Sequence, residues 1–185
     1  MKHTSKLSIF YGLAILALEA PCILAENSQG NIVLTGIEKC EVDGPMPIPW
    51  EFELNNADGD GHKKFDAKLD FTAFDFNDQL TYKLTVDRLS EGEWENKSNQ
   101  EGNLCDVVKK YAMKAWDNMM NIITPRPIAA CTAQKEIFVL KDFEITKPEL
   151  QIPPIFGQLR AILNIYDKNE NHVFCASIEL EVSDE

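Results

Sequence analysis

The sequence is poor in the residues that hydrolytic and metal chemistry most often needs. It carries 3 histidines, His3, His62 and His172, and none sits in a GxSxG, HExxH or Cys-His setting. A hydrolytic triad or a zinc protease therefore has no visible parts. The 9 glycines are scattered through turns and form no phosphate-cradling loop, which excludes the dinucleotide fingerprint. Positive charge is also scarce: 18 Lys and Arg stand against 30 Asp and Glu, a formal net charge of -12. Nucleic acid needs a basic face and is excluded as a partner, and anionic membrane at neutral pH is disfavoured by like charge. Carboxylates for glycoside chemistry are available in any chain this acidic. Those on the alternating segments described below fall on the polar face, which favours solvation, so the sequence reads as no enzyme, with no cofactor and no metal.

Long apolar runs are absent but for one. Leu7 to Leu18 is nearly uninterrupted, follows Lys2 and Lys6, and ends at Glu19 and Pro21. It is short for a membrane span, and Ile23-Leu24-Ala25 offers small or apolar residues for cleavage. Residues 1–25 are expected to be a signal peptide and residues 26–185 one secreted domain, since no repeat, low-complexity tract or domain linker interrupts them. The 44% hydrophobic content supplies enough apolar surface for a core.

Cys22 leaves with that leader, and Cys40, Cys105, Cys131 and Cys175 remain, with no CxxC pair among them. An even number in an oxidising compartment reads as two disulfides rather than zinc. Of the three possible connectivities we expect Cys105–Cys131, tying a helix to the next strand, and Cys40–Cys175, joining the first strand to the last. Asn96-Lys97-Ser98 is an N-glycosylation sequon in a polar stretch, read as an exposed loop with Asn96 as acceptor.

Most of the mature chain alternates with period 2, which marks antiparallel strands with one wet and one buried face. Over Lys64–Ala73 the apolar set is Phe65, Ala67, Leu69, Phe71 and Ala73; over Leu80–Asp87 it is Leu80, Tyr82, Leu84 and Val86. Leu159, Ala161, Leu163 and Ile165 form a third face, and Phe174, Ala176, Ile178, Leu180 and Val182 a fourth. The fold class expected is mainly β: an antiparallel sandwich or cup with one amphipathic helix packed at or over a cavity. The stretch Asn56–Gly61 has acids at calcium-loop positions, but Ala67 stands where the bidentate Glu belongs, so it reads as a hairpin loop. Pro45–Pro49 and Pro148–Pro154 suit only edges or rims.

The helix is expected over Asn103–Ile123. Leu104, Val107, Val108, Tyr111, Ala115, Trp116, Met119, Met120 and Ile123 fall at spacings of three and four, Asn103 with Asp106 resembles a capping box, and Pro125 closes the far end. Two readings stay open for the large apolar side chains: a packed core, or the lining of a cavity that takes an apolar guest. On the second, the inward-facing positions Phe71, Leu84, Trp116, Met119, Met120, Phe143, Leu163 and Ile178 line the pocket, with Trp116, Met119 and Met120 gating it.

From about Lys63 onward the succession of features resembles one family of secreted insect proteins. These features are FDAKLDFTAFDFNDQLTYKLTVDRLSEGEW, then Leu104-Cys105-Asp106, then Cys131 with EIFVLKDFEI, then Pro154-Ile155-Phe156-Gly157-Gln158-Leu159-Arg160. The family includes the chemosensory CheA and CheB groups and is related to the ganglioside activator protein and, more loosely, to lipid-recognition (ML) β-cup proteins. The resemblance implies a β-cup that binds a lipid, fatty-acid derivative or pheromone-like molecule without catalysis, and it transfers no catalytic residues. A receptor or membrane surface is the second class of partner. Two other functions remain open: a lysosomal-type lipid-extracting activator, and a secreted protein-interaction module with a solid core.

Overall fold

Among the described residues eight strands form two antiparallel sheets, and the alternating segments supply the inner ones. A computed structural model describes residues 31–40, 46–55, 64–111, 113–127, 132–144 and 155–183. The expected signal peptide, the Asn56–Gly61 loop, Cys131 and Pro148–Pro154 lie outside the described residues. In chain order the elements are β1 (Asn31–Lys39), β2 (Trp50–Asn55), β3 (Lys64–Asp70), β4 (Thr81–Ser90) and β5 (Glu93–Asn103). Next come α1 (Leu104–Tyr111), α2 (Met113–Ile122), β6 (Ile137–Glu144), β7 (Gly157–Tyr166) and β8 (His172–Ser183). One sheet has five strands in the order β1-β8-β7-β4-β5, the other three in the order β2-β3-β6. The fold is mainly β, a sandwich with its helices packed on one end, as expected.

Alternation decides which side chains enter the space between the sheets, because side chains on a strand point to opposite faces in turn. On the wide sheet Leu84, Val86, Leu159, Ala161, Leu163, Ala176, Ile178 and Leu180 are all buried. On the narrow sheet Trp50, Phe65, Ala67, Leu69, Phe138, Leu140 and Phe143 join them in one continuous apolar cluster. Register keeps each row together: Trp50 lies opposite Leu69, and Leu69 opposite Phe138. At the other end Leu54 lies opposite Phe65, and Phe65 opposite Phe143.

One end of the sandwich is cross-linked. Cys40 and Cys175 form the expected disulfide, joining the end of β1 to β8 within the wide sheet. Between the sheets, Trp50 meets Phe174 with ring centroids 5.4 Å apart, and the Ile48 N–H donates to the Val173 carbonyl at 3.3 Å. The helices sit at this same end. The Leu104 N–H donates to the Leu80 carbonyl at 3.0 Å, just where β4 begins and β5 ends. Cys105 is also disulfide-bonded, but its expected partner Cys131 is outside the described residues.

Three expectations need correction. The strand expected over Lys64–Ala73 stops at Asp70, whose side chain accepts the Thr72 N–H at 2.9 Å. That local bond replaces the ladder, so Phe71 still turns inward while Ala73 is exposed. The helix expected over Asn103–Ile123 is described as α1 and α2, on either side of residue 112, which lies outside the described residues. Asn103 caps the first by accepting the Cys105 and Asp106 N–H groups at 2.9 and 3.2 Å. The polar stretch holding the sequon is no loop but the edge strand β5, too hydrophilic for any period-2 apolar pattern to reveal it. Finally, Asp87 is not solvated: it is 8% exposed on the outer face, where it pairs with Arg160 at 2.8 Å. Arg160 in turn lies over the Trp94 ring at 4.5 Å, so a cation and an aromatic cover the carboxylate.

Candidate functional site in the apolar interior

Strand β2 runs the length of the interior and best displays its gradient. Its inward positions are Trp50, Phe52 and Leu54. Trp50 is buried at 6% exposure, whereas Phe52 and Leu54 are only partly buried against the same core. The gradient follows from the chain around them. Trp50 sits at the cross-linked end, held by Phe174 inside and covered by the Lys39 ammonium, 5.6 Å from its ring centroid. Leu54 sits at the far end, with no such clasp among the described residues. Ile155 and Phe156, which lead into β7, are likewise partly buried there. Gly157 then admits the chain into β7 at φ 113, a backbone conformation that favours glycine. The interior thus has a floor at Trp50 and a rim at Leu54, Ile155 and Phe156.

The expected pocket residues fall on this axis unevenly. Leu84 and Leu163 are direct neighbours on the wide sheet, and Ile178 lies one row further along, opposite Ala161. All three are essentially inaccessible, at 1%, 0% and 1% exposure. Phe71 belongs to the floor, where it meets Phe76 at 5.2 Å and Phe138 at 5.6 Å. Phe143 belongs to the other end, edge-on to Phe65 at 5.3 Å. The structure therefore places Phe71 and Phe143 at opposite ends of the interior rather than on one wall. Met119 and Met120 are buried in the same cluster, and the end of α2 is tied to β6 by reciprocal hydrogen bonds between Thr124 and Val139. The side chain of Trp116 is outside what is described.

Sequence reasoning missed the most informative residue. Trp50 was passed over, yet its indole Nε1 is buried and has no hydrogen-bond partner among the described residues. Its place at the head of an alternating Trp-Glu-Phe-Glu-Leu run was the available signal. Phe52, Leu54 and Phe65 were readable the same way. The midsection between floor and rim carries small residues from both sheets, Ala67, Ala161 and Ala176, each contributing a single methyl.

Charge stays outside. The outer face of the narrow sheet bears a shallow groove of about 190 Å³ bordered by Glu51, Glu53, Asp66, Lys68, Val139 and Lys141. Lys68 and Glu51 pair across it at 3.2 Å with both ends exposed, a contact of little energetic weight. Three carboxylates have pKa values held below the ordinary range, all at the surface. Asp70 is lowered by its hydrogen bonds from Thr72, Glu95 by Lys97, and Asp167 by Asn171 in the β7–β8 hairpin. Asn96 is exposed on β5, its amide donating to Asp87 at 3.2 Å and exchanging hydrogen bonds with Asn99. Among the described residues no three His, Cys, Asp or Glu side chains converge as a metal site. Nor is any helix long and apolar enough to cross a membrane.

No family model matches the chain, and no curated protein matches it. Among solved structures it is similar to the one titled "Crystal structure of chicken MD-1 complexed with lipid IVa". That likeness covers 83% of this chain and 98% of the other, at 11% sequence identity and a TM-score of 0.34. Similarity this loose says nothing of what the present chain binds.

Proposed function

We propose that this chain is a secreted, non-enzymatic carrier of a small hydrophobic ligand, a lipid or fatty-acid derivative held between the two sheets, serving chemosensory signalling. The observation that carries the proposal is the gradient along β2, from buried Trp50 through Phe52 to partly exposed Leu54. A clasped floor with an apolar rim left incompletely covered is a way in for an apolar chain, whereas a closed core covers both ends alike. The small midsection residues Ala67, Ala161 and Ala176 favour the same reading, since each leaves width that a larger side chain would occupy. The driving force is burial of the guest: each methylene contributes about 0.8 kcal/mol, so ten give about 8 kcal/mol before the cost of ordering. Among the described residues no three His, Cys, Asp or Glu side chains converge as a metal site, and the reading asks only for binding and release of the guest. The Cys40–Cys175 disulfide suits the oxidising compartment that a secreted carrier occupies. The chemosensory setting rests on the sequence resemblance alone.

Native mass spectrometry of protein secreted from insect cells, followed by solvent extraction, tests the proposal. The expected result is a co-purifying apolar species of defined mass that an added competitor displaces. A bare chain that takes up no fluorescent fatty-acid probe would return Leu84, Leu163 and Ile178 to the role of plain core.

A further inference from the structure

Among the described residues three buried side-chain polar atoms lack a hydrogen-bond partner, Trp50 Nε1, Arg160 Nε and His172 Nε2, and of these residues only Trp50 belongs to the apolar core cluster. Elsewhere the paired backbone groups of both sheets are taken up by the ladders, and the side chains of the core cluster are hydrocarbon or aromatic. Trp50 departs from this pattern. Its ring lies between the sheets against Phe174, the residue is 6% exposed, and its Nε1–H meets no acceptor among the described residues. A buried donor left unsatisfied is costly, and buried tryptophans ordinarily find a partner for that hydrogen. A chain that needed only a large apolar plug at this position would be better served by phenylalanine, which fills the floor elsewhere at Phe71, Phe76 and Phe138.

We propose that the indole N–H of Trp50 is the recognition element for the ligand: it receives the oxygen of a neutral lipid carrying one acceptor, such as an ester, whose chain runs along β2 past Phe52 toward Leu54. This rests on the carrier reading above and deepens it by naming the ligand's chemical class and orientation. The guest enters tail-out, with its polar atom at the clasped floor and its terminal methyl near Phe156. A carboxylate is a poor match. Desolvating that charge needs a buried counter-charge and several donors, and the floor supplies one neutral N–H. The Lys39 ammonium is exposed and lies over the face of the ring. The whole chain is moreover acidic, with a net charge of -12.

Competition binding with dodecane, methyl laurate and laurate, all of similar chain length, separates the outcomes. The wild-type protein should prefer methyl laurate to dodecane by about three- to tenfold, the range of one net hydrogen bond. Trp50→Phe keeps an aromatic ring and removes the donor, so it should erase that preference, the ester falling to the affinity of the alkane. In parallel, methyl laurate but not dodecane should move the Trp50 indole proton resonance of the wild-type protein downfield, a readout that does not depend on the variant folding. Equal affinity for ester and alkane in the wild type, a preference that survives in Trp50→Phe, or laurate binding tighter than its ester would each overturn the assignment and leave the carrier reading standing. Failure of all three compounds to bind would overturn both.

Discussion

At the end where β8 begins, the two sheets are joined by Trp50 against Phe174 and by the Ile48–Val173 hydrogen bond, and the Cys40–Cys175 disulfide fixes β1 to β8 beside them. At the opposite end Leu54, Ile155 and Phe156 rest on the same core and stay partly exposed. Both ends derive from the same strands, so the difference lies in the described groups that meet at each end. The first end gathers a cystine, the helices and the Trp50–Phe174 pair; the second gathers Phe65 and Phe143 with Leu54, Ile155 and Phe156 leading out of β2 and into β7. Position in the sandwich, more than hydrophobicity, thus divides the buried floor from the partly exposed rim. A protein built this way can be firm at its base without sealing its rim.

The sharpest way to break the comparison is to unclasp the base. Replacing Cys40 and Cys175 together by alanine should cost about 5 kcal/mol, because the bond closes a loop with a sequence separation of 135. Urea unfolding read by circular dichroism measures this, and a cost under 1 kcal/mol would show that the clasp is not where the stability resides. Next in size, Phe138→Ala at the floor should lose about 3–5 kcal/mol through lost burial and a cavity. Leu54→Ala at the rim should lose no more than about 1 kcal/mol, because a partly exposed side chain gives up less on truncation. Equal losses at the two positions would erase the distinction between floor and rim.

A substitution between the two ends sharpens the comparison further. Ala161→Phe in the midsection should abolish uptake of a fatty-acid probe while costing less than about 1 kcal/mol, if the width it occupies is kept for a guest. Overpacking a filled core instead costs about 1–3 kcal/mol, and a cost in that range with unchanged probe uptake would count against the site. The smallest effect is that of pH. Asp70 and Asp167 both lie at the clasped end, and their pKa values are depressed below the ordinary 3.8 by hydrogen bonds from Thr72 and Asn171. A depressed carboxylate adds stability that is complete above its unfolded pKa and lost as the pH falls through its folded one. The urea midpoint should therefore hold steady from about pH 7 to pH 5 and fall only below about pH 4. A decline already under way between pH 7 and pH 5 would contradict this.

The strands that line the interior were legible because one face of each is wet. Phe65-Ala67-Leu69 on β3, Leu84-Val86 on β4 and Leu159-Ala161-Leu163 on β7 alternate without exception, and all are buried. The Cys40–Cys175 pairing followed from joining first strand to last. Strand β5 was illegible for the converse reason: at the sheet edge its residues Glu93–Asn103 have almost nothing to bury. The buried Asp87 lies on a face that alternation assigns to solvent, and only the cross-strand arrival of Arg160 makes it otherwise. The floor-to-rim gradient was beyond the sequence altogether, since it depends on which connections meet at which end.

The central claim is that an apolar guest occupies the space between the sheets. Methyl-selective NMR with a lipid bearing a paramagnetic label on its chain tests it most directly. The account predicts that the interior methyls of Leu84, Ala161, Leu163 and Ile178 broaden on addition of the label. The exposed methyls of Ile122 and Ile137, at 46% and 41% exposure, should keep their line widths. The opposite pattern, with Ile122 and Ile137 broadened and the interior untouched, would mean adsorption to the surface and would contradict the account.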